Sequence, residues 1–360
     1  MPLLAPTEVA GLEMSNRFVM APMTREFSPG NVPGDPVAEY YAKRASSLGL
    51  IITEGTYVDE CSAGASNRVP AFYGDEPLAG WRKVVDAIHS EGGKVMPQLW
   101  HLGATRIAGA GPNNEAPIVS PSGIGLGGRR VGEPATATVI DGIVDAFVRA
   151  AADAQDVGFD GVELHGAHGY LLDQFTWGET NRRTDAYGGS IANRMRISAE
   201  IVAAIRERVG PEFPISYRFS QWKGGHFDAR IADNPGELAL ILSPLVEAGV
   251  SLLHVSTRRY WLPEFDGSDR TLAGWTKHLT GLPVIALGSV GVPAAFRGDE
   301  TEKQTSLSLA PLMNLFERGE FDLVGLGRAV LAEPHWVSKV ASGDVDSIRP
   351  YNKELETVLL

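Results

Sequence analysis

The feature that most constrains this chain is a rhythm in which short apolar runs alternate eight times with longer amphipathic stretches. The runs are RFVMAP at 17–22, GLIITEG at 49–55, KVMPQLW at 94–100, GVELH at 161–165, PISYRFS at 214–220, SLLHVS at 251–256, PVIALGS at 283–289 and FDLVGLG at 321–327. Each has the length and apolar content of a buried strand. Between them, apolar residues recur at helical spacing. Residues 78–91 place Trp81, Val84, Val85 and Ile88 on one face, and 139–157 repeat Ile143, Phe147, Ala150 and Ala154. Residues 194–209 carry Ile197, Ile201 and Ile205, and 235–248 carry Leu238, Ile241, Leu242 and Leu245. Weaker helical patterns occupy 36–47, 270–279, 307–318 and 334–341. Strands alternating with helices pair in parallel, so eight such units predict a single (β/α)8 TIM barrel domain over 1–360, with an N-terminal cap. A doubly wound open sheet is the alternative, but RFVMAPMTREF lacks a Gly-rich turn after its strand.

Long segments after the third and fourth predicted strands, 101–138 and 165–193, open on the C-terminal face of such a barrel, where active sites are built. The span 288–306, with the polar run RGDETEKQTS, reads as a surface excursion. Reading the strand ends in order gives Ala21, Pro22, Met23 and Thr24, then Gly55, Gln98, His165, Arg218 and Ser256, then Gly288 with Ser289 and Gly327 with Arg328. No carboxylate pair stands out for acid–base work. The GSVG and GLGR ends fall after strands 7 and 8, a common place for a phosphate, although glycines there also serve tight turns. Arg218 sits in an apolar strand and needs an anionic partner, which is either a ligand or a carboxylate such as Glu163. Gln98 can serve a ring bearing both donors and acceptors, or simply bond to backbone. His101 receives no role.

The segment HGAHGYLLDQF at 165–175 places His165, His168 and Tyr170 at one strand end. A zinc site would need a third ligand, and there is no HExxH pattern. A structural pair is the plain reading. The chemical reading is that both imidazoles donate hydrogen bonds to one substrate oxygen. A net charge of −12 argues against nucleic acid or an anionic membrane as the main partner. A single cysteine, Cys61, excludes an intramolecular disulfide and a cysteine-rich metal cluster. No secretion signal or membrane span is evident, so the expected location is cytoplasmic. Oligomeric state is not readable.

Taken together, NRFVMAPMTR at 16–25, ITEGTYV at 52–58, QLWHLG at 98–103, HGAHGYLLDQF, NRRTDAYGGS at 181–190, GSVG at 288–291 and GEFDLVGLGRAVLAEPHW at 319–336 resemble the old yellow enzyme family over nearly the whole chain. The resemblance implies a (β/α)8 barrel with non-covalent FMN at its C-terminal mouth and NAD(P)H as reductant. Carried over by position, Ala21, Pro22, Met23 and Thr24 would line the flavin, and Gly55 would let the ring approach. Gln98 would bind the pyrimidine edge and Arg218 would face N1 and O2. Gly288, Ser289, Gly327 and Arg328 would hold the phosphate.

The implied activity is that of an ene-reductase. NAD(P)H reduces FMN, and hydride then passes from flavin N5 to the β-carbon of an α,β-unsaturated carbonyl or nitro compound. His165 and His168 would hold the substrate oxygen, and Tyr170 would protonate the α-carbon. The TWGETNRR segment at 176–183 departs from the family's usual continuation and bears on substrate scope. Rival readings are a flavin-free barrel acting on a sugar phosphate, as a lyase or isomerase, and a zinc hydrolase. A Schiff-base enzyme would need a lysine at a strand's carboxyl end. Lys94 lies at the wrong end, and Lys223 falls beyond the fifth predicted strand.

Overall fold

The computed structural model describes residues 1–292 and 309–360. A two-stranded hairpin, β1 (Thr7–Val9) and β2 (Leu12–Met14), precedes eight parallel strands. These are β3 (Phe18–Met20), β4 (Leu50–Tyr57), β5 (Val95–Trp100), β6 (Val162–His168), β7 (Ile215–Lys223), β8 (Leu252–Ser256), β9 (Val284–Leu287) and β10 (Leu323–Leu326). Each pairs with its sequence neighbours, and β10 pairs with β3, which closes the barrel predicted from the alternation.

The outer helices are α1 (Asp35–Ala45), α2 (Asp75–Ser90), α3 (Ala137–Val157), α5 (Ile191–Val209), α6 (Pro235–Glu247), α7 (Leu272–Thr280) and α8 (Ala310–Glu317). Three shorter ones are α4 (Leu171–Thr176), α9 (Arg328–Ala332) and α10 (Trp336–Ser342). Local chemistry sets several boundaries. Thr136, Ser190 and Asn234 accept N-cap hydrogen bonds at α3, α5 and α6, and Gly158 ends α3 in the left-handed conformation, φ 103°.

The helix faces read from periodicity are the buried ones: Trp81, Val84, Val85, Ile88, Ile143, Phe147, Ile197, Ile201, Ile205, Leu238, Ile241 and Leu245 all join the main core. A separate cluster fills the lower lumen. There the hairpin's Val9, Leu12 and Met14 pack under Val19, Leu50, Ile52, Met96, Leu252, Ile285 and Leu323. The hairpin is therefore the expected N-terminal cap, an apolar plug under the barrel.

Strand residues two apart share a face. Inward-facing positions therefore run upward as Met96, Gln98 and Trp100 on β5, Ser216, Arg218 and Ser220 on β7, and Leu252, His254 and Ser256 on β8. The lumen is apolar at the bottom and polar at the top.

Three expectations need adjusting. Segment 165–193 is not one loop, because β6 continues to His168 and α4 follows. β7 runs three residues past Ser220, so Lys223 is its last residue and does not lie beyond it. Residues 293–306 of the expected surface excursion, and 307–308 of the expected helix, lie outside the described residues.

Candidate active site

All fourteen residues to which the resemblance gives a role meet at the C-terminal mouth. A cavity of about 490 Å³ is walled by Ala21, Pro22, Met23, His168, Tyr170, Arg218, Gly288, Ser289, Gly327 and Arg328. A smaller one of about 120 Å³ is walled by Pro22, Thr24, Gly55, Gln98, His165, His168, Tyr170 and Arg218. Pro22, His168, Tyr170 and Arg218 are common to both.

Arg218 settles one alternative left open above. Among the described residues no carboxylate pairs with its guanidinium; Nη2 donates to Ser256 Oγ at 3.3 Å, and Nε is buried without a partner. Burial lowers its pKa to about 10, so the cation persists at neutral pH. Glu163, the candidate partner, instead accepts from Gln98 Nε2 at 2.9 Å and Ser216 Oγ at 3.0 Å, and lies 2.8 Å from His254 Nδ1. Burial works to raise the Glu163 pKa, but His254, then the charge of Arg218 and the Ser216 hydrogen bond, hold it below the usual carboxylate range. Glu163 fixes one N–H of Gln98 and so orients its amide at the cavity wall. An acid inside GVEL was the visible signal; its partners were not.

Four rings stand together in the upper wall. Tyr170 packs edge-on against Trp100 and His165, each with centroids 4.8 Å apart, and His165 lies 5.3 Å from His168. Burial, followed by the positive charge of Arg218, pushes both histidine pKa values well below their usual value, which leaves neutral donors. Burial raises the Tyr170 pKa against the opposing pull of Arg218, so its hydroxyl keeps its proton.

The backbone that presents these rings is itself held. His168 has φ 64°, its N–H donates to Ser220 Oγ at 3.0 Å, and its carbonyl accepts from Gly224 N at 3.0 Å. Asp173 accepts from Gly169 N at 2.6 Å and pairs with Lys223 Nζ at 2.9 Å, with both side chains fully buried. Lys223 thus sits at a strand's carboxyl end, yet it is spent on Asp173 and the carbonyls of Ser220 and Gln221 and lines neither cavity. What counts against a Schiff-base role is this pairing and the place of Lys223 outside both cavity walls, not its position on the strand. His101 ties the loops together through Glu60 (2.9 Å) and Gly103 N (3.0 Å).

Several wall residues escaped the sequence reading: Trp100, Trp222, Phe227, Arg258 and Arg259. Trp222 stacks on His168 with centroids 4.2 Å apart, and Arg258 lies 4.2 Å over the Phe227 ring. The dipeptide Arg258-Arg259 just after β8 was the available signal; in an acidic chain, paired basic residues at a strand end mark an anion site. Among the described residues no group of three or more His, Cys, Asp or Glu side chains is placed to hold a metal ion, so His165 and His168 gain no third ligand there.

Comparison with known proteins decides the relationship. The NADH:flavin oxidoreductase / NADH oxidase family matches residues 2–346. This chain belongs to that family, the old yellow enzymes. It is similar to 12-oxophytodienoate reductase 7 of Oryza sativa subsp. japonica, 34% identical over 94% of this chain and 87% of that one. It is also 33% identical to an NADH oxidase of Thermoanaerobacter brockii, of which it spans 52%. In three dimensions it is similar to morphinone reductase in complex with tetrahydroNAD, with a TM-score of 0.83, 27% identity, and 99% and 94% of the two chains covered.

As an old yellow enzyme, this protein is an NAD(P)H-dependent oxidoreductase that works with FMN. The residues present fit that group. The orphaned Arg218 Nε and the pre-oriented Gln98 amide await a planar ring with acceptors and donors. Ser289, at φ 59°, and Arg328 both line the larger cavity, a hydroxyl and a guanidinium that suit a phosphate. Among the described residues no helix is long and apolar enough to cross a membrane.

Proposed function

We propose that this old yellow enzyme is an ene-reductase acting on α,β-unsaturated carbonyl or nitro compounds through one FMN site in one barrel domain. The carrying observation is the convergence of His165, His168 and Tyr170 on the cavity wall shared with Arg218 and Gln98. Pro22, Met23, Thr24, Gly55 and Gln98 would hold the isoalloxazine ring, with Arg218 at its electron-rich edge. Gly288, Ser289, Gly327 and Arg328 would hold the phosphate, joined by Arg259, which lines the same cavity. When bound, FMN supplies the redox chemistry, accepting hydride from NAD(P)H and delivering it to the β-carbon.

The protein's share is positioning and proton management. Two neutral imidazoles donate hydrogen bonds to the substrate oxygen and stabilise the negative charge that grows there. Tyr170, held protonated by burial, gives its proton to the α-carbon. Trp222 and Phe227 supply a flat apolar wall, which suits a planar conjugated substrate.

The test is stopped-flow kinetics of Tyr170→Phe. Enone reduction should slow by a factor on the order of 10² or more, while flavin reduction by NAD(P)H stays near the wild-type rate. Equal rates in both half-reactions would remove Tyr170 from the mechanism.

A further inference from the structure

One hydroxyl touches two groups of the proposed site at once. Ser256 Oγ lies 2.8 Å from His168 Nε2 and 3.3 Å from Arg218 Nη2, and the residue is 2% exposed. Its side chain makes no other hydrogen bond among the described residues. A guanidinium can only donate, so Ser256 accepts from Arg218. The hydroxyl has one proton to give, and the acceptor within reach is His168 Nε2. Were the imidazole to donate there instead, the buried serine proton would have no acceptor among the described residues, an arrangement that folded proteins avoid.

The proton of neutral His168 then belongs on Nδ1, the nitrogen with no partner among the described residues, on a ring that lines both cavities. Burial and the charge of Arg218 keep His168 neutral. The ring cannot easily turn over, because Trp222 stacks on it with planes 24° apart, and the Trp222 indole N–H donates to the carbonyl of the same Ser256 at 3.1 Å. His165 is arranged the other way round: its Nδ1 accepts from Ala167 N at 3.4 Å, which puts its proton on Nε2.

We propose that Ser256 is a positioning residue that sets His168 in its Nδ1–H tautomer and thereby makes it a donor to the substrate oxygen. The donor role rests on the ene-reductase reading; the tautomer does not. In the FMN-loaded enzyme with ¹⁵N-labelled histidine, long-range proton–nitrogen NMR should show His168 protonated on Nδ1 and bare on Nε2. Ser256→Ala should move protonation toward Nε2 and slow cyclohexenone reduction by at least roughly tenfold. Ser256→Thr, which keeps the hydroxyl, should restore both signals.

A wild-type His168 protonated on Nε2 would overturn the proposal even if no variant folded, and so would an Nδ1–H tautomer that persists in Ser256→Ala. A wild-type enzyme with Nδ1–H His168 that reduced no enone would instead overturn the ene-reductase reading and leave the tautomer assignment standing.

Discussion

An alanine at position 55 would put its Cβ 2.6 Å from the Trp100 ring. Gly55 lines the smaller cavity, but the space of its missing side chain is taken by an indole on the neighbouring strand. Gly55→Ala should therefore cost about 1–3 kcal/mol through overpacking and displace Trp100 from Tyr170 and His165. Thermal unfolding would read the first effect and tryptophan fluorescence the second. A glycine at a strand end was legible in the sequence; the residue facing it depends on register, here Gly55 opposite Gln98.

Glu60 is a second case. Burial acts to raise its pKa, but the hydrogen bond and charge of His101 bring it down to about 2. Its folded pKa lies below its unfolded one, so its contribution is complete above about pH 4.5 and is lost as pH falls from there toward 2. Urea midpoints over that range should decline less steeply in Glu60→Gln than in wild type.

At the scale of elements, the ion pair of Asp173 and Lys223 pins α4 to the end of β7. Burial pushes the Asp173 carboxyl up and the Lys223 ammonium down, each against the pull of its partner. Asp173→Asn would leave the cation alone in a dry site and should destabilise the protein by about 3–5 kcal/mol. Replacing both by apolar residues of similar size should cost much less, and denaturant unfolding of the two variants distinguishes these outcomes. The periodicity of α2, α3, α5 and α6 was readable because one apolar face carries it over several turns. The six residues of α4 and five of α9 are too short for any period. Their places come from tertiary contacts, such as Arg44 reaching the carbonyls of Val330 and Leu331 on α9. The C-terminal tail is likewise docked: Arg25 binds the carbonyls of Leu355 and Val358, and Arg44 that of Leu360.

Across the whole molecule, the proposed FMN site draws on strands from opposite sides of a closed barrel, so ligand binding and barrel stability are coupled. Free FMN at about 100 times its Kd should add about 2.7 kcal/mol to unfolding. Arg328→Ala at the same FMN concentration should gain less, as read by denaturant titration with and without flavin. The sequence by itself determined the barrel and the identity of its mouth, because strand alternation, helical periodicity and strand-end chemistry are local patterns. It could not show that, among the described residues, Arg218 forms no ion pair with a carboxylate, that Glu163 serves Gln98, or that Ser256 stands between Arg218 and His168. Only barrel closure decides those contacts, since it sets which inward-facing side chains from strands far apart in sequence share one level of the lumen.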